Sequence, residues 1–170
     1  MSKVYVYHHN DHDGIVAAGV LYNLYPDREN KEFIFNMIDY AKELNFDHID
    51  FTYNDEVYFL DYSFTNDHNL NEFKKLLDRR INHFDVTWID HHKSSMGTLN
   101  NDYMIAGIRN TSLCAAALTY LYFVGDVISA TRFHEDKNVP AFLKYIDDYD
   151  DSLCRRSFGR ENNRLPGRIR

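Results

Sequence analysis

The sequence predicts an α/β domain: a mainly parallel sheet with helices on both faces. Three observations carry this. Short runs rich in Val, Ile and aromatic residues alternate with longer stretches of helical composition. No internal repeat and no Gly/Ser linker interrupts the alternation. Several of the apolar runs end in His or Asp, and in open α/β sheets the carboxyl ends of the strands are where ligands bind.

Taken in order, Lys3–His8 is a buried strand rich in Val and Tyr. Gly14–Tyr25 reads as a helix stopped by Pro26. Phe33–Ile38 is a second strand, while residues 40–56 show no dominant period. Val57–Asp61 is a third strand. Asn66–Asn82 is an amphipathic helix with Leu70, Phe73, Leu76 and Leu77 on one face. Phe84–Ile89 and Tyr103–Ile108 are further strands. Thr111 or Ser112 is placed to cap a helix running to about Val124, and Val139–Asp148 reads as the last helix. The domain spans residues 1–151. After Asp151 the pattern dissolves, and residues 152–170 form an Arg-rich tail, expected to be mobile.

The chain has 170 residues, of which 44% are hydrophobic, enough for one core. The formal charge of −7 is unevenly spread. Residues 155–170 hold six Arg and one Glu, which leaves the body near −12. A phosphate-bearing substrate stays compatible with that balance, because bound cations can reverse the local sign of an Asp-rich site. Cys114 and Cys154 form no metal or disulfide pattern, so a reduced cytoplasm is expected. Met1-Ser2-Lys3-Val4 enters a strand rather than a signal peptide, and the apolar stretch Leu113–Val124 is too short to span a bilayer.

The chemistry-bearing residues fall in four segments. The first strand runs into His8-His9-Asn10-Asp11-His12-Asp13-Gly14. Alternating residues of an extended loop project to one side, so His9, Asp11 and Asp13 can present three ligands. Asp61 ends the third strand, Asp90-His91-His92-Lys93 ends the fourth, and Asp147, Asp148 and Asp150 close the last helix. Each segment alone also fits a plainer role: Asp13 as a helix cap, Asp61 as a turn former, the His pair as surface, the late acids as a solvated turn. The conjunction points instead to a two-metal site, since imidazole and carboxylate oxygens converge at one sheet edge.

This arrangement resembles the DHH phosphoesterase superfamily, which includes RecJ-type exonucleases, nanoRNases, cyclic-dinucleotide phosphodiesterases and family II pyrophosphatases. The resemblance covers about residues 3–151. It rests on HHNDHDG, FLDYSF, WIDHHKSS, GIRN and YIDDYD, wording most like small oligoribonuclease-like members. It implies one metal held by His9, Asp11 and Asp61, and a second held by Asp13, Asp61, His91 and Asp148, with Asp61 bridging. His8 remains an alternative to His9, and Asp147 and Asp150 remain alternatives to Asp148. His92 and Asp90 are the expected catalytic pair. His92 would contact a phosphate oxygen, protonate the leaving group, or support a ligand. Lys93 and Arg109 are the expected phosphate contacts. Members of the group commonly continue into a smaller DHH-associated domain, expected to be missing here.

The implied activity is hydrolysis of short single-stranded oligonucleotides or nucleotides, with two Mn²⁺ ions preferred and Mg²⁺ or Co²⁺ as substitutes. Alternatives are a cyclic-dinucleotide phosphodiesterase, a pyrophosphatase, or a truncated module that binds metal and nucleic acid without turnover. A homodimer is a further possibility, and no membrane partner is expected.

Overall fold

A computed structural model describes residues 1–80, 84–97, 99, 103–125 and 130–158, with 130, 131 and 151–158 described by their backbone alone. Strands β1 (Lys3–His9), β2 (Glu32–Ile38), β3 (Asp55–Leu60) and β4 (Phe84–Ile89) form one sheet in the order β2-β1-β3-β4. All three pairings are parallel. The helices are α1 (His12–Leu24), α2 (Asp67–Arg79), α3 (Ala115–Val124), α4 (Ala130–Glu135) and α5 (Ala141–Phe158). The α/β class with a parallel sheet covered on both faces is as the sequence predicts.

The period of two in the strands sorts the core into two layers. Val4, Val6, Tyr58, Leu60 and Ile89 face α1 and α3, meeting Ala17, Leu21 and the run Ala115–Leu118. Small Ala side chains let these helices sit close to the sheet. Tyr5, Tyr7, Val57, Phe59, Val86 and Trp88 face the other way, onto Phe73, Leu76 and Leu77 of α2. Full burial of such side chains is worth about 1.5–3 kcal/mol each. Trp88 also satisfies its indole N–H, donating to the Tyr62 carbonyl at 2.8 Å. The aperiodic stretch 40–56 contributes Leu44, Phe46 and Phe51 to this layer. Arg79 pins it by donating to the carbonyls of Phe46 and Ile49 at 2.9 and 2.7 Å.

Four expectations need correction. Tyr103–Ile108 is not a full strand: it meets β4 at the isolated bridge Thr87↔Ala106, and a second bridge, Asp90↔Arg109, lies just beyond both runs. Gly107, at φ +109°, breaks the run, and a Cβ there would lie 2.1 Å from the Trp88 carbonyl oxygen. Helix α3 begins at Ala115 rather than just after Thr111 or Ser112. Helix α5 continues to Phe158, past its expected end at Asp148. No Gly or Pro stands between Ala141 and Phe158, so only the acidic run argued for an early stop. Finally, α4 forms in a stretch that the sequence reading left unassigned. Residues 159–170, most of the Arg-rich tail, lie outside the described residues, as do 81–83 at the end of the predicted helix Asn66–Asn82.

Candidate metal centre

Strand register sets the site. His9 pairs with Ile38, His8 with Leu60, and Leu60 with Ile89. His9, Asp61 and Asp90 therefore emerge side by side at the carboxyl edge. The strand order reverses direction between β1 and β3, the topological switch point where such sheets open a crevice.

The turn after β1 is built around Asp11. Its Oδ1 caps α1 by accepting the Gly14 amide at 2.9 Å, and its Oδ2 meets His9 Nδ1 at 2.8 Å. Gly14 is required because a Cβ would stand 2.4 Å from the His9 carbonyl oxygen. His9, not His8, joins the cluster; His8 Nδ1 lies against the His9 carbonyl at 3.0 Å. Asp13 caps a different helix. Its two oxygens accept the amides of Ala115 and Ala116 at 2.6 and 2.8 Å, at the positive end of α3. Asp147 joins the same terminus, accepting the Cys114 amide at 2.5 Å and pairing with His134 Nε2 at 2.7 Å.

Asp61 is the centre of the arrangement. It stands in the left-handed region at φ +57°, a conformation that a non-glycine residue holds only when its surroundings impose it. The residue is 1% exposed, and among the described residues neither carboxylate oxygen has a hydrogen-bond partner. Imidazole nitrogens surround it: His91 Nε2 at 3.2 Å, His9 Nδ1 at 3.8 Å and His92 Nδ1 at 3.8 Å. A buried carboxylate without hydrogen bonds is costly unless a cation offsets it. Orphaned oxygens inside a ring of imidazoles are the donor set that a divalent ion needs, so the residues present fit the expected metals.

Among the described residues, three groups bring potential ligand atoms within 4.8 Å of one another: His9, Asp11 and Asp61; Asp61, His91 and His92; and Asp13, His91 and Asp150. Asp61 and His91 are each shared by two of them, which makes a candidate two-metal site.

Charge coupling holds the metal-free cluster together. The hydrogen bond to Asp11 and then the nearby Asp61 carboxylate raise the His9 pKa to about 10. Burial works to lower His91, but the Asp61 and Asp13 charges prevail and raise it to about 9. Burial and the Asp61 charge push Asp13 up to about 7, against the pull of His91 and the α3 amides. Burial also lifts Asp11, yet His9 and the Gly14 amide hold it well below the usual carboxylate range. At neutral pH, His9 and His91 therefore carry protons that a metal must displace. Mn²⁺ binding is expected to release protons and to weaken by about tenfold per pH unit for each proton displaced, as pH falls below about 9. Calorimetry in buffers of different ionisation enthalpy reads this, and equal heats in all buffers would contradict it.

The structure thus brings together His9, Asp11, Asp13, Asp61 and His91, with His92 beside them and Asp90 beneath. Two expected residues lie elsewhere. Asp148 is 76% exposed on the outer side of α5, 3.9 Å from His134 Nδ1. Helical phase explains this: Asp147 and Asp150, three apart, share the inward face, and Asp150 Oδ2 lies 3.6 Å from His91 Nδ1. Arg109 is committed to the scaffold. Its guanidinium donates to the carbonyls of Trp88, Ile105 and Ala106 at 3.1–3.3 Å and lies over the Trp88 ring. Lys93 is exposed at the start of a short 3-10 turn beyond His92. Asp148→Ala is accordingly expected to keep wild-type Mn²⁺ affinity and Asp150→Ala to lose at least about tenfold. The reverse ranking in a Mn²⁺ titration would restore Asp148.

Residues 3–147 match the family described as DHH family, N-terminal domain. The chain belongs to the DHH family. No curated protein matches it. Among solved structures, it is similar to the "Crystal structure of an uncharacterized protein from Helicobacter pylori G27", at 16% identity and a TM-score of 0.52. The likeness covers 74% of this chain and 37% of that one, so the chain spans little more than a third of its relative's length. At this identity the likeness concerns the fold. This DHH-family domain carries His/Asp clusters consistent with a metal-dependent phosphoesterase. No helix among the described residues is long and apolar enough to cross a membrane.

Proposed function

We propose that the chain is a Mn²⁺-dependent phosphodiesterase of the reduced cytoplasm that hydrolyses short single-stranded oligonucleotides. The observation that carries this reading is the orphaned Asp61 carboxylate among three imidazoles. Bound divalent ions polarise phosphoryl oxygens and supply a nucleophile from water at neutral pH. His9, Asp11 and Asp61 would hold one ion, and Asp13, Asp61, His91 and Asp150 the other. The mixed imidazole and carboxylate set favours Mn²⁺ over Mg²⁺. The oligonucleotide as substrate rests on the likeness of the motifs to DHH phosphoesterases.

The chain's own residues supply the remainder. Asp90 is buried and acts through His92: its Oδ1 meets His92 Nδ1 at 2.7 Å. Burial works to lower the His92 pKa, but this bond prevails and raises it. With Nδ1 occupied, Nε2 is the atom left to protonate the leaving oxygen of a phosphodiester. Asp90 is therefore a positioning residue and His92 the proton donor. Exposed Lys93 is placed to attract the substrate's charge.

The deciding experiment incubates wild-type protein and its Asp61→Asn variant with Mn²⁺ and a ladder of short labelled RNAs. Release of mononucleotides by the wild type alone is expected. No release at any length from wild-type protein with Mn²⁺ bound would overturn the oligonucleotide reading.

A further inference from the structure

With Arg109 committed to backbone carbonyls, the site lacks one of the two phosphate donors that its sequence offered. Another donor stands at its rim. Tyr40 follows β2 at its carboxyl end, two residues beyond Ile38, the register partner of His9. Its ring stacks on buried Tyr62, with centroids 4.9 Å apart and planes 16° from parallel. The His9 ring lies 5.0 Å away and the His92 ring 6.2 Å. Held by these contacts, Tyr40 remains 38% exposed.

Its hydroxyl accepts the Ser63 amide at 3.4 Å, and no acceptor for its own proton is found among the described residues. The nearby carboxylates do not take it: both Asp61 oxygens and Asp90 Oδ2 are without hydrogen bonds. An ordinary phenol keeps its proton well above neutral pH, so the hydroxyl has a hydrogen to donate. A neutral donor also suits the place. A Lys or Arg there would pair with Asp61 or Asp90 and repel the ions, whereas a phenol donates without adding charge.

We propose that Tyr40 is a further substrate-binding residue whose hydroxyl donates a hydrogen bond to a non-bridging oxygen of the phosphoryl group held at the cluster. The proposal rests on the phosphoesterase reading above and adds to it the residue that grips the phosphate. The stack on Tyr62 fixes the ring in advance, so little freedom is lost when the bond forms.

Tyr40→Phe tests it, because the ring contacts survive and only the hydroxyl is lost. The probe is inorganic phosphate titrated into the Mn²⁺-loaded protein, with Mn²⁺ affinity measured separately. The variant is expected to bind Mn²⁺ as the wild type does, to bind phosphate about 10- to 100-fold more weakly, and to slow RNA cleavage to a similar degree. Wild-type phosphate affinity in the variant would overturn the proposal. Loss of Mn²⁺ by the variant would overturn it too, since the hydroxyl would then serve the ligand set. Wild-type protein that binds Mn²⁺ and phosphate but cleaves no RNA would sink the oligonucleotide reading alone, with Tyr40 still decided by phosphate binding. Wild-type protein that binds neither would overturn both.

Discussion

Asp61→Asn is expected to remove saturable Mn²⁺ binding at both positions, because this one carboxylate is shared by two of the three candidate groups and is proposed to serve both ions. Loss of even a ligand's supporting partner costs about 10–100-fold in metal affinity, so the loss here should exceed about 100-fold. Asparagine is the right replacement: it keeps the side-chain shape and tolerates the left-handed backbone at φ +57° better than alanine. The variant should also lose the rise in melting temperature that Mn²⁺ gives the wild type. A second signature lies in the metal-free protein. His9 and His91 have their pKa values raised to about 10 and about 9, with Asp61 among the causes for each. Raised histidine values stabilise the fold fully below the unfolded value of about 6.5 and lose that contribution as pH climbs through the folded values. Asp61→Asn should therefore be less stable than wild type at pH 6, and the gap should close between about pH 9 and 10. A variant still titrating two Mn²⁺ ions at wild-type affinity would sink the shared-carboxylate assignment.

Asp13→Ala should be among the most destabilising single changes in the chain. The Asp13 carboxylate accepts two buried amides, at 2.6 and 2.8 Å, from a helix about a hundred residues further along. Removing it leaves two amide donors unsatisfied at the start of α3 and cuts a direct bond between α1 and α3. The expected cost is about 2–6 kcal/mol, from about 1–3 kcal/mol for each buried donor left unsatisfied. Urea unfolding of metal-free protein measures this without interference from ion binding. Asp13→Asn, which still offers one acceptor oxygen, should recover part of the loss. A change below about 1 kcal/mol would mean that water replaces the carboxylate at these amides.

Much of the site is legible in the sequence because its ligands come from strand ends. A short run of β-branched and aromatic residues that stops at His9, Asp61 or Asp90 announces both the strand and the edge where the ligand emerges. What stays hidden depends on packing between distant segments. The acids Asp147, Asp148 and Asp150 share one composition, and only the face that α5 turns to α1 and α3 decides that Asp150 points at His91. Arg109 reads the same whether its partner is a phosphate or the carbonyl of Trp88. Thr111 and Ser112 resemble caps, but α3 takes its caps from Asp13 and Asp147, which no local pattern announces. Tyr40 looks like one more core aromatic until Tyr62 and His9 close around it.

The convergence of the clusters at the switch point also bears on how the protein is made. Val4 pairs with Glu56, so the β1–β3 ladder must close a loop of some fifty residues before its first contact forms. The ligand atoms then arrive from residues 9–13, 61, 91 and 150, segments that no single hairpin or helix pair unites. In a growing chain the His9, Asp11 and Asp61 group cannot assemble until β3 has paired with β1, and the Asp13, His91 and Asp150 group waits longer still, until α5 has been synthesised and has docked.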